Sequence, residues 1–472
     1  MHRLEPCIVL SGWSGPLAGG CVLSVGCGWS ITRYGHRQDV VDSVSCDYGI
    51  VFKGSFGAVS GSRRGFGSSA ASASEGGKTL SAKTVESLGA AGSVPSEAVD
   101  VRVDKWSTPV LNSENRLKLA TFATNMRGSV TLANVEGKVL GSWEESLRLA
   151  QHADRIGFDA VIPVARWRGF GGEADLSNRS FEPFTWATAI LARTERVQVF
   201  ATVHVPVLHP MLAAKMSATA DHVSGGRFGV NVVAGWFPEE FAMFGLTQKD
   251  HASRYAYADE WTRLLKQLWT GDGPRDFVGE HIQAFDAFSD PHPLQDPYPV
   301  LMNAGTSGAG RDFAATHSDL IFASLQDLET ATRQIAEIKQ LARESHGREV
   351  RVFGRAHVVC RPTEAEARQY FRWVHRDQAD VAAIERLFDA STANSKSLEV
   401  GEEEHWQKIE RLAAGRGALT LVGTPEQIVA TMVELSEAGL DGLALSWVNY
   451  DEGLQQMEEQ ILPLMVEAGL RA

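Results

Sequence analysis

The sequence is poor in cysteine: five in 472 residues, an odd number, with no Cys-x-x-Cys pair and no Cys/His spacing of the zinc-binding kind. That excludes a disulfide framework and a zinc knuckle. Four of them (Cys7, Cys21, Cys27 and Cys46) crowd the start of the chain, and Cys360 follows Val358 and Val359, where a buried strand thiol is expected. This usage reads as a reducing, cytoplasmic compartment. An unbroken apolar run is also missing. The longest uncharged stretch, Ile8 to Thr32, is interrupted throughout by Gly, Ser and Pro, so no membrane helix is expected. Basic residues fall short of acidic ones, 45 against 58, for a formal charge of −13, which argues against nucleic acid as a partner. HExxH, a Walker loop, GxSxG and paired metal carboxylates are absent too, so neither a resident metal nor a protein nucleophile is expected. The chemistry then falls to a bound organic cofactor.

What the sequence does have is unevenly spread. Gly and Ser supply 34 of the first 100 residues, and Gly54 to Gly77 is nearly all Gly, Ser and Ala, with too little apolar surface to offset the entropy of ordering. Residues 1–115 are therefore expected to be a disordered extension or a start-site artefact, and 116–472 the folded domain. Ser62-Arg63-Arg64-Gly65-Phe66 has the outline of a twin-arginine export signal but lacks the apolar segment such a signal needs.

From Arg116 onward the texture changes to alternating strands and helices. The pattern predicts strands at Leu117–Phe122, Phe158–Val164, Val197–Thr202, Arg227–Ala234, Pro299–Asn303, Leu320–Ala323, Val350–Cys360 and Gly442–Trp447. Helices are predicted between them, among them Tyr257–Trp269 and Thr363–Phe388. Ser142 with Glu145, and Thr424 with Pro425, mark two helix starts. Strands and helices at this spacing imply parallel strands joined by right-handed crossovers, hence an α/β fold. About eight strands fit a (β/α)8 TIM barrel with insertions, and no GxGxxG follows the first strand to favour a dinucleotide-binding open sheet. In a barrel the active site lies at the C-terminal ends of the strands. That filter selects Thr124 to Arg127, Ala165 to Gly172, His204 to His209, Ala234 to Glu240 and Asn303 to Ser307.

Within those stretches a few residues could carry chemistry. Arg166 and Arg168 stand beside the glycines of Arg168-Gly169-Phe170-Gly171-Gly172, which fits an anion site or a solvated arginine pair. Asn231 is an amide inside an apolar strand and must find partners, either on a neighbouring strand or on a polar heterocycle in the barrel mouth. Ala304 to Gly310 opens a helix with Gly, Ser and Thr, as a phosphate cradle or as a simple N-cap, and Arg254-Tyr255 could add charge to the same phosphate. His204 and His209 flank a short apolar run and could reach the pocket. Ser391 to Gly417, with Glu402, Glu403 and Glu404, reads as a solvated insertion near the rim.

Taken together, Arg168 to Gly172, Ser224 to Trp236, Ser253 to Tyr255, Ala304 to Gly310 and Gly423 to Ile428 resemble the motifs of the bacterial-luciferase-like flavin-dependent monooxygenases. Within that family the stretches look like those of the pyrimidine monooxygenases that open the uracil ring, and next the dimethylsulfone monooxygenases. The resemblance spans about Leu117 to Leu470. It implies a two-component enzyme in which a separate NAD(P)H:flavin reductase supplies FMNH2, O2 is the co-substrate and a flavin peroxide oxygenates a small organic substrate. Carried over by position, it implies that Ala165 and Arg166 line the flavin ring and that Asn231 and Glu240 contact the isoalloxazine or ribityl chain. Arg254, Tyr255 and Ser307 would hold the phosphate, and Asn231 and Arg166 would be the residues nearest the chemistry. At Arg166 the pyrimidine branch carries Lys, so a point donor becomes a fork. Relatives are often dimers or tetramers, which implies a homo-oligomer. Pro163, Val164, Ala165, Val205, Leu208 and Ala234 give an apolar rim, which tilts the expected substrate to an apolar or halogenated aromatic xenobiotic and its oxidative dehalogenation. Pyrimidine or amide ring opening, sulfone oxygenation, a deazaflavin-dependent oxidoreductase and a non-catalytic flavin-binding barrel remain the alternatives.

Overall fold

The computed structural model describes residues 102–472 apart from 174, 306, 324 and 393–401, and three strands nearer the start. The chain divides into two compact units, Met1–Val94 and Pro95–Ala472. In the first, Trp29–His36, Asp39–Cys46 and Val51–Ser55 pair antiparallel, with Ile31 opposite Val44 and Val44 opposite Phe52. The sequence pattern gave no strands there, because Gly, Ser and Asp dilute the alternation that marks a half-buried strand. The Gly/Ser-rich run beyond Ser55 and the Arg63-Arg64 pair lie outside the described residues.

In the second unit eight parallel strands close on themselves: β1 Lys118–Phe122, β2 Ala160–Ile162, β3 Gln198–His204, β4 Phe228–Val233, β5 Val300–Asn303, β6 Leu320–Ala323, β7 Arg351–Cys360 and β8 Gly442–Ser446. Each pairs with the next in sequence, and β8 returns to β1 through Leu443 opposite Leu119. This is the expected TIM barrel. β7 is longer than its neighbours, and its last half, Ala356–Cys360, carries an extra parallel strand, Leu419–Gly423. Inside, Phe200, Phe322 and Phe353 fill the barrel, each contributing about 1.5–3 kcal/mol by burial. The space for two of these rings comes from glycine on the adjoining strands. A Cβ on Gly229 would meet the Phe200 ring at 2.5 Å, and one on Gly442 would meet Phe353 at 2.1 Å.

The barrel closes at its N-terminal end with segments the sequence reading had assigned to the leader. Val103 pairs with Gln295, the Lys105 ammonium donates to Asp319 Oδ1 at 2.9 Å, and Val110 and Leu111 join the barrel-interior core. The domain boundary therefore falls at Val94 and Pro95 rather than at residue 115.

Two helices differ from the predicted spans in ways that move functional residues. The helix expected from Tyr257 begins at His251, because the Asp250 carboxylate accepts from Ser253 N at 3.1 Å and caps it earlier. Arg254 and Tyr255 are thus on its first turns. The helix predicted over Thr363–Phe388 is broken into Glu364–Arg372, a wide turn at Trp373–Asp377, and Val381–Thr392. Past residues 393–401, the stretch read as a solvated insertion forms the helix Glu402–Ala413, which buries Ile409 and Ala413 against Leu132, Phe170 and Leu387. At Thr424 the cap is reciprocal with Gln427, whereas the Glu145 carboxylate turns back to the Leu140 and Gly141 amides instead of Ser142. Among the described residues no helix is long and apolar enough to cross a membrane.

Candidate active site

A cavity of about 450 Å³ opens at the C-terminal ends of the strands. Ala165, Arg166, Asn231, Arg254, Tyr255 and Ser307 all lie on its wall, so six of the seven residues selected from the sequence meet in one place.

At one end the helix Gly308–His317 presents its N-terminus. Ser307 is its cap: the hydroxyl accepts from Gly310 N at 3.1 Å and lies 2.9 Å from His251 Nε2. Tyr255 hydrogen-bonds Ser307, and burial raises its pKa, so it stays a neutral phenol. The backbone is packed tightly beneath this hydroxyl pair. A Cβ on Gly310 would come within 2.6 Å of Tyr255 Oη and 2.9 Å of Ser307 Oγ. Arg254 donates through Nη1 to the Gly235 carbonyl, while its Nε is buried with no partner. A helix N-terminus, two hydroxyls and a guanidinium suit a phosphate.

In the middle, β4 delivers Asn231 to the mouth. Its Nδ2 donates to Thr202 Oγ1 at 3.2 Å, and that hydroxyl donates to Pro163 O at 2.7 Å, which fixes the amide's orientation. The amide thus bonds a neighbouring strand, the first of its two readings, while its Oδ1 is left buried without a donor. A buried bare acceptor costs about 1–3 kcal/mol and marks a place for a ligand N–H or O–H. Asn303 shapes the adjoining loop, donating to Val232 O and accepting from Gly305 N, each at 2.6 Å.

At the other end Arg166 is held by Glu240. The Glu240 Oε1 accepts from Arg166 Nη1 at 3.0 Å and from the amides of Trp167 at 2.7 Å and Arg168 at 3.3 Å. Glu240 is only 1% exposed and is not on the cavity wall. Expected to contact the ring or ribityl chain, it sits instead behind Arg166 and the loop amides. The short helix Pro238–Met243 turns its carboxylate there because a buried guanidinium and two amides are the donors within reach. The Arg166 guanidinium also lies over Phe170, Trp236 and Phe237, at 5.0, 5.1 and 5.7 Å from their centroids. His204 lines the wall with its Nδ1 3.6 Å from Glu240 Oε2, too long for a hydrogen bond. Burial, and then the Arg166 charge, push its pKa down to about 3, so it is neutral.

Other expectations resolve differently. His209 caps the helix Pro210–Ser224 by accepting from Met211 N at 3.2 Å and does not reach the cavity. Val205 and Leu208 are off the wall, leaving Pro163, Val164, Ala165 and Ala234 as the apolar rim. Cys360 is buried, and burial raises its thiol to about 11, which makes it a packing residue.

Against known proteins, the luciferase-like monooxygenase family profile matches residues 118–442. The chain belongs to this family. It is 30% identical over 356 residues to the pyrimidine monooxygenase RutA of Acinetobacter baylyi, covering 74% of this chain and 95% of that one. To the FMNH2-dependent dimethylsulfone monooxygenase of Pseudomonas putida it is 32% identical, covering 74% and 96%. A solved riboflavin lyase superposes with a TM-score of 0.67 at 23% identity over 75% of this chain and 92% of the lyase, which is agreement in fold.

The chain is thus a monooxygenase-family enzyme, and most residues singled out in its motifs lie on one cavity wall. Sequence reasoning missed Thr202 and His251 on this wall, and also Arg355 and Arg416 in an adjoining chamber. Arg355 did carry a signal. Like Asn231 it is a polar residue flanked by apolar ones in a strand, here Arg351–Cys360.

Proposed function

We propose that this protein is an FMNH2-dependent monooxygenase with O2 as co-substrate, its reduced flavin supplied by a separate NAD(P)H:flavin reductase. The observation that carries the reading is the polarity of one continuous cavity, which has phosphate-type donors at Ser307, Tyr255 and Arg254 and bare, buried hydrogen-bonding atoms on Asn231 and Arg166 further along. The residues present fit FMN. Ser307, Tyr255 and Arg254 would hold the phosphate, Asn231 the polar edge of the ring, and Arg166 the negative charge of the reduced form.

When bound, the flavin supplies the electrons that activate O2. The chain's own residues do the rest. Glu240 fixes the Arg166 fork and the Trp167 and Arg168 amides, so the positive charge is oriented before any ligand arrives. Trp236, Phe170 and Phe237 stack against that guanidinium and exclude water on one side. His204, neutral and facing the same space, can accept or donate a hydrogen bond without adding charge.

Pro163, Val164, Ala165 and Ala234 support an apolar or aromatic substrate body, the part of the sequence-based substrate reading that the wall favours. The pyrimidine and sulfone activities named for relatives are the other reactions to screen. Cysteine usage supports a cytoplasmic setting.

The test is an FMN titration followed by turnover with and without a flavin reductase and NADPH, against uracil, dimethylsulfone and chlorinated benzenes. Binding of FMN and oxygenation only in the presence of reductase are expected. Turnover without any flavin, or binding of deazaflavin in preference to FMN, sinks the proposal. Tight flavin retention with no O2 uptake on any substrate leaves a flavin-binding barrel and no enzyme.

A further inference from the structure

Beside the flavin cavity lies a second chamber of about 340 Å³, sharing Phe122, Val164, Arg166 and Trp236 with it. Its distinguishing feature is charge. Three guanidinium groups, Arg166, Arg355 and Arg416, face it, and among the described residues no carboxylate lines it. Glu240 accounts for Arg166. Arg355 and Arg416 make no ion pair with any described residue. Arg355 donates to the carbonyls of Gly415 at 3.2 Å and Arg416 at 3.4 Å, and Arg416 donates to Ser177 Oγ and to Ser129 O at 3.4 Å. Carbonyl and hydroxyl dipoles satisfy donors but give the two charges no directly paired carboxylate, Glu240 acting on Arg416 only from a distance.

The arrangement is built, with costs in the fold. Arg416 adopts a left-handed φ of 54° between Gly415 and Gly417, a conformation unfavourable for a side chain of this size. Its guanidinium stacks on Phe170 at 4.8 Å from the centroid, Arg166 lies at 5.0 Å from the same ring, and Arg355 lies 5.8 Å over Phe122. The Nε atoms of Arg416 and Arg166 are buried without partners. Burial, then the neighbouring Arg166 and Arg355, lower the Arg416 pKa well below the usual range, and burial lowers that of Arg355. Holding like charges together with bare donors is unfavourable until an anion arrives. The rest of the wall, Val130, Leu387, Leu412 and Trp236, is apolar.

Resting on the flavin reading, we propose that the chamber binds the substrate and selects an organic anion, a carboxylate or sulfonate on an apolar or aromatic body. The anionic group meets Arg355 and Arg416, and the body lies against Trp236 and Val164 toward the shared wall, where the flavin cavity begins. This replaces a wholly apolar substrate with an amphipathic one. It also explains why the chain keeps charges here that a neutral ring would leave unpaired.

The full-length protein, loaded with FMN, is titrated by calorimetry with benzenesulfonate and benzoate and with the neutral benzamide and methyl phenyl sulfone. The anions should bind at least about tenfold more tightly, the range of one or two charge-assisted hydrogen bonds. Arg416→Met and Arg355→Gln should each reduce that preference about tenfold, and Arg416→Lys should keep part of it. Because Arg416 also holds Ser129 and Ser177, Arg355→Gln is the variant that decides if Arg416→Met fails to fold. Equal affinity for neutral and anionic compounds overturns the inference. So does an anion preference unchanged in Arg355→Gln, or competition by inorganic sulfate as strong as by benzenesulfonate. Failure of FMN to bind overturns the flavin reading and this inference together, whereas FMN binding without anion preference overturns this inference alone.

Discussion

The two ends of the barrel treat charge in opposite ways. At the N-terminal end three aspartates, Asp159 and Asp319 buried and Asp441 partly so, are held by donors of the fold. Asp159 accepts from Ser113, Asn115, Leu119 N and Arg471, all at 2.8 Å. Asp319 accepts from Lys105 at 2.9 Å, Arg348 at 3.1 Å and Leu301 N at 3.0 Å. Asp441 accepts from Val352 N and pairs with Lys339, both at 2.8 Å. At the C-terminal end Asn231 Oδ1, Glu240 Oε2 and the Nε atoms of Arg166, Arg254 and Arg416 are buried and bare. Bare buried atoms occur elsewhere too, Gln198 Oε1 at the start of β3 among them, but these five belong to residues on or directly behind the two chamber walls. The closed end pairs its carboxylates within the fold, whereas the open end leaves donors and acceptors bare beside the cavities.

The sharpest test of the closed end is Asp319→Ala. Asp319 is 1% exposed, and without it the Lys105 ammonium is a buried charge with no counter-ion. A loss of about 3–5 kcal/mol in urea unfolding is expected. Deleting residues 1–115 should be at least as damaging, since it removes Lys105, Val110 and Leu111 together. A loss under 1 kcal/mol in Asp319→Ala would break the contrast.

At the open end the same kind of substitution should move binding. Ser307→Ala and Arg254→Gln should each weaken FMN about 10- to 100-fold, or about 1.5–3 kcal/mol, with little change in unfolding midpoint. Fluorescence titration with FMN reads the first quantity and urea unfolding the second. A large drop in stability with unchanged FMN affinity would reassign these residues to the scaffold.

How far this division could be read beforehand depended on the kind of signal. The barrel was legible because each strand is a short apolar run bounded by helix signals, and the Ser307 end of the cavity because Ser307 and its glycines are contiguous. Glu240 was misplaced because its motif position is local, whereas its direction is set by Arg166, distant in sequence. Lys105 was assigned to the leader because its partner Asp319 is farther away still. Arg416 sits in a Gly-Arg-Gly turn that reads as solvent-facing, and only the fold brings it against Phe170. Pairings across the barrel leave no trace in periodicity.

Histidines extend the contrast to pH. His317 is hydrogen-bonded to Asp259 at 2.7 Å, and burial lowers it to about 4. His204 has no hydrogen-bonded carboxylate and is lowered to about 3. Both fold neutral, so the unfolded chain takes up protons first as pH falls below about 6.5. Each therefore contributes stability that is complete above that value. It is lost at about 1.4 kcal/mol per pH unit down to the folded pKa. His204→Gln should flatten the stability profile by about that slope down to pH 3, and His317→Gln only down to pH 4, as followed by urea unfolding at stepped pH. Equal windows for the two variants would remove the distinction between paired and unpaired imidazoles.

The smallest effect is expected from the shorter deletion, which stops at residue 94. If the closed end is complete within the second unit, its charge partners must all lie there, and the described pairs do: Arg102 with Asp296 at 2.7 Å, Lys105 with Asp319, Arg471 with Asp159. Removing residues 1–94 takes away none of them, nor any residue on either cavity wall. The remaining chain should unfold within about 0.5 kcal/mol of the full-length barrel and bind FMN equally well. A shift of several kcal/mol would mean that a group at the closed end draws a partner from the leader. The opposition between a self-sufficient end and a waiting end would then have to be redrawn, because both ends would be incomplete in the second unit alone.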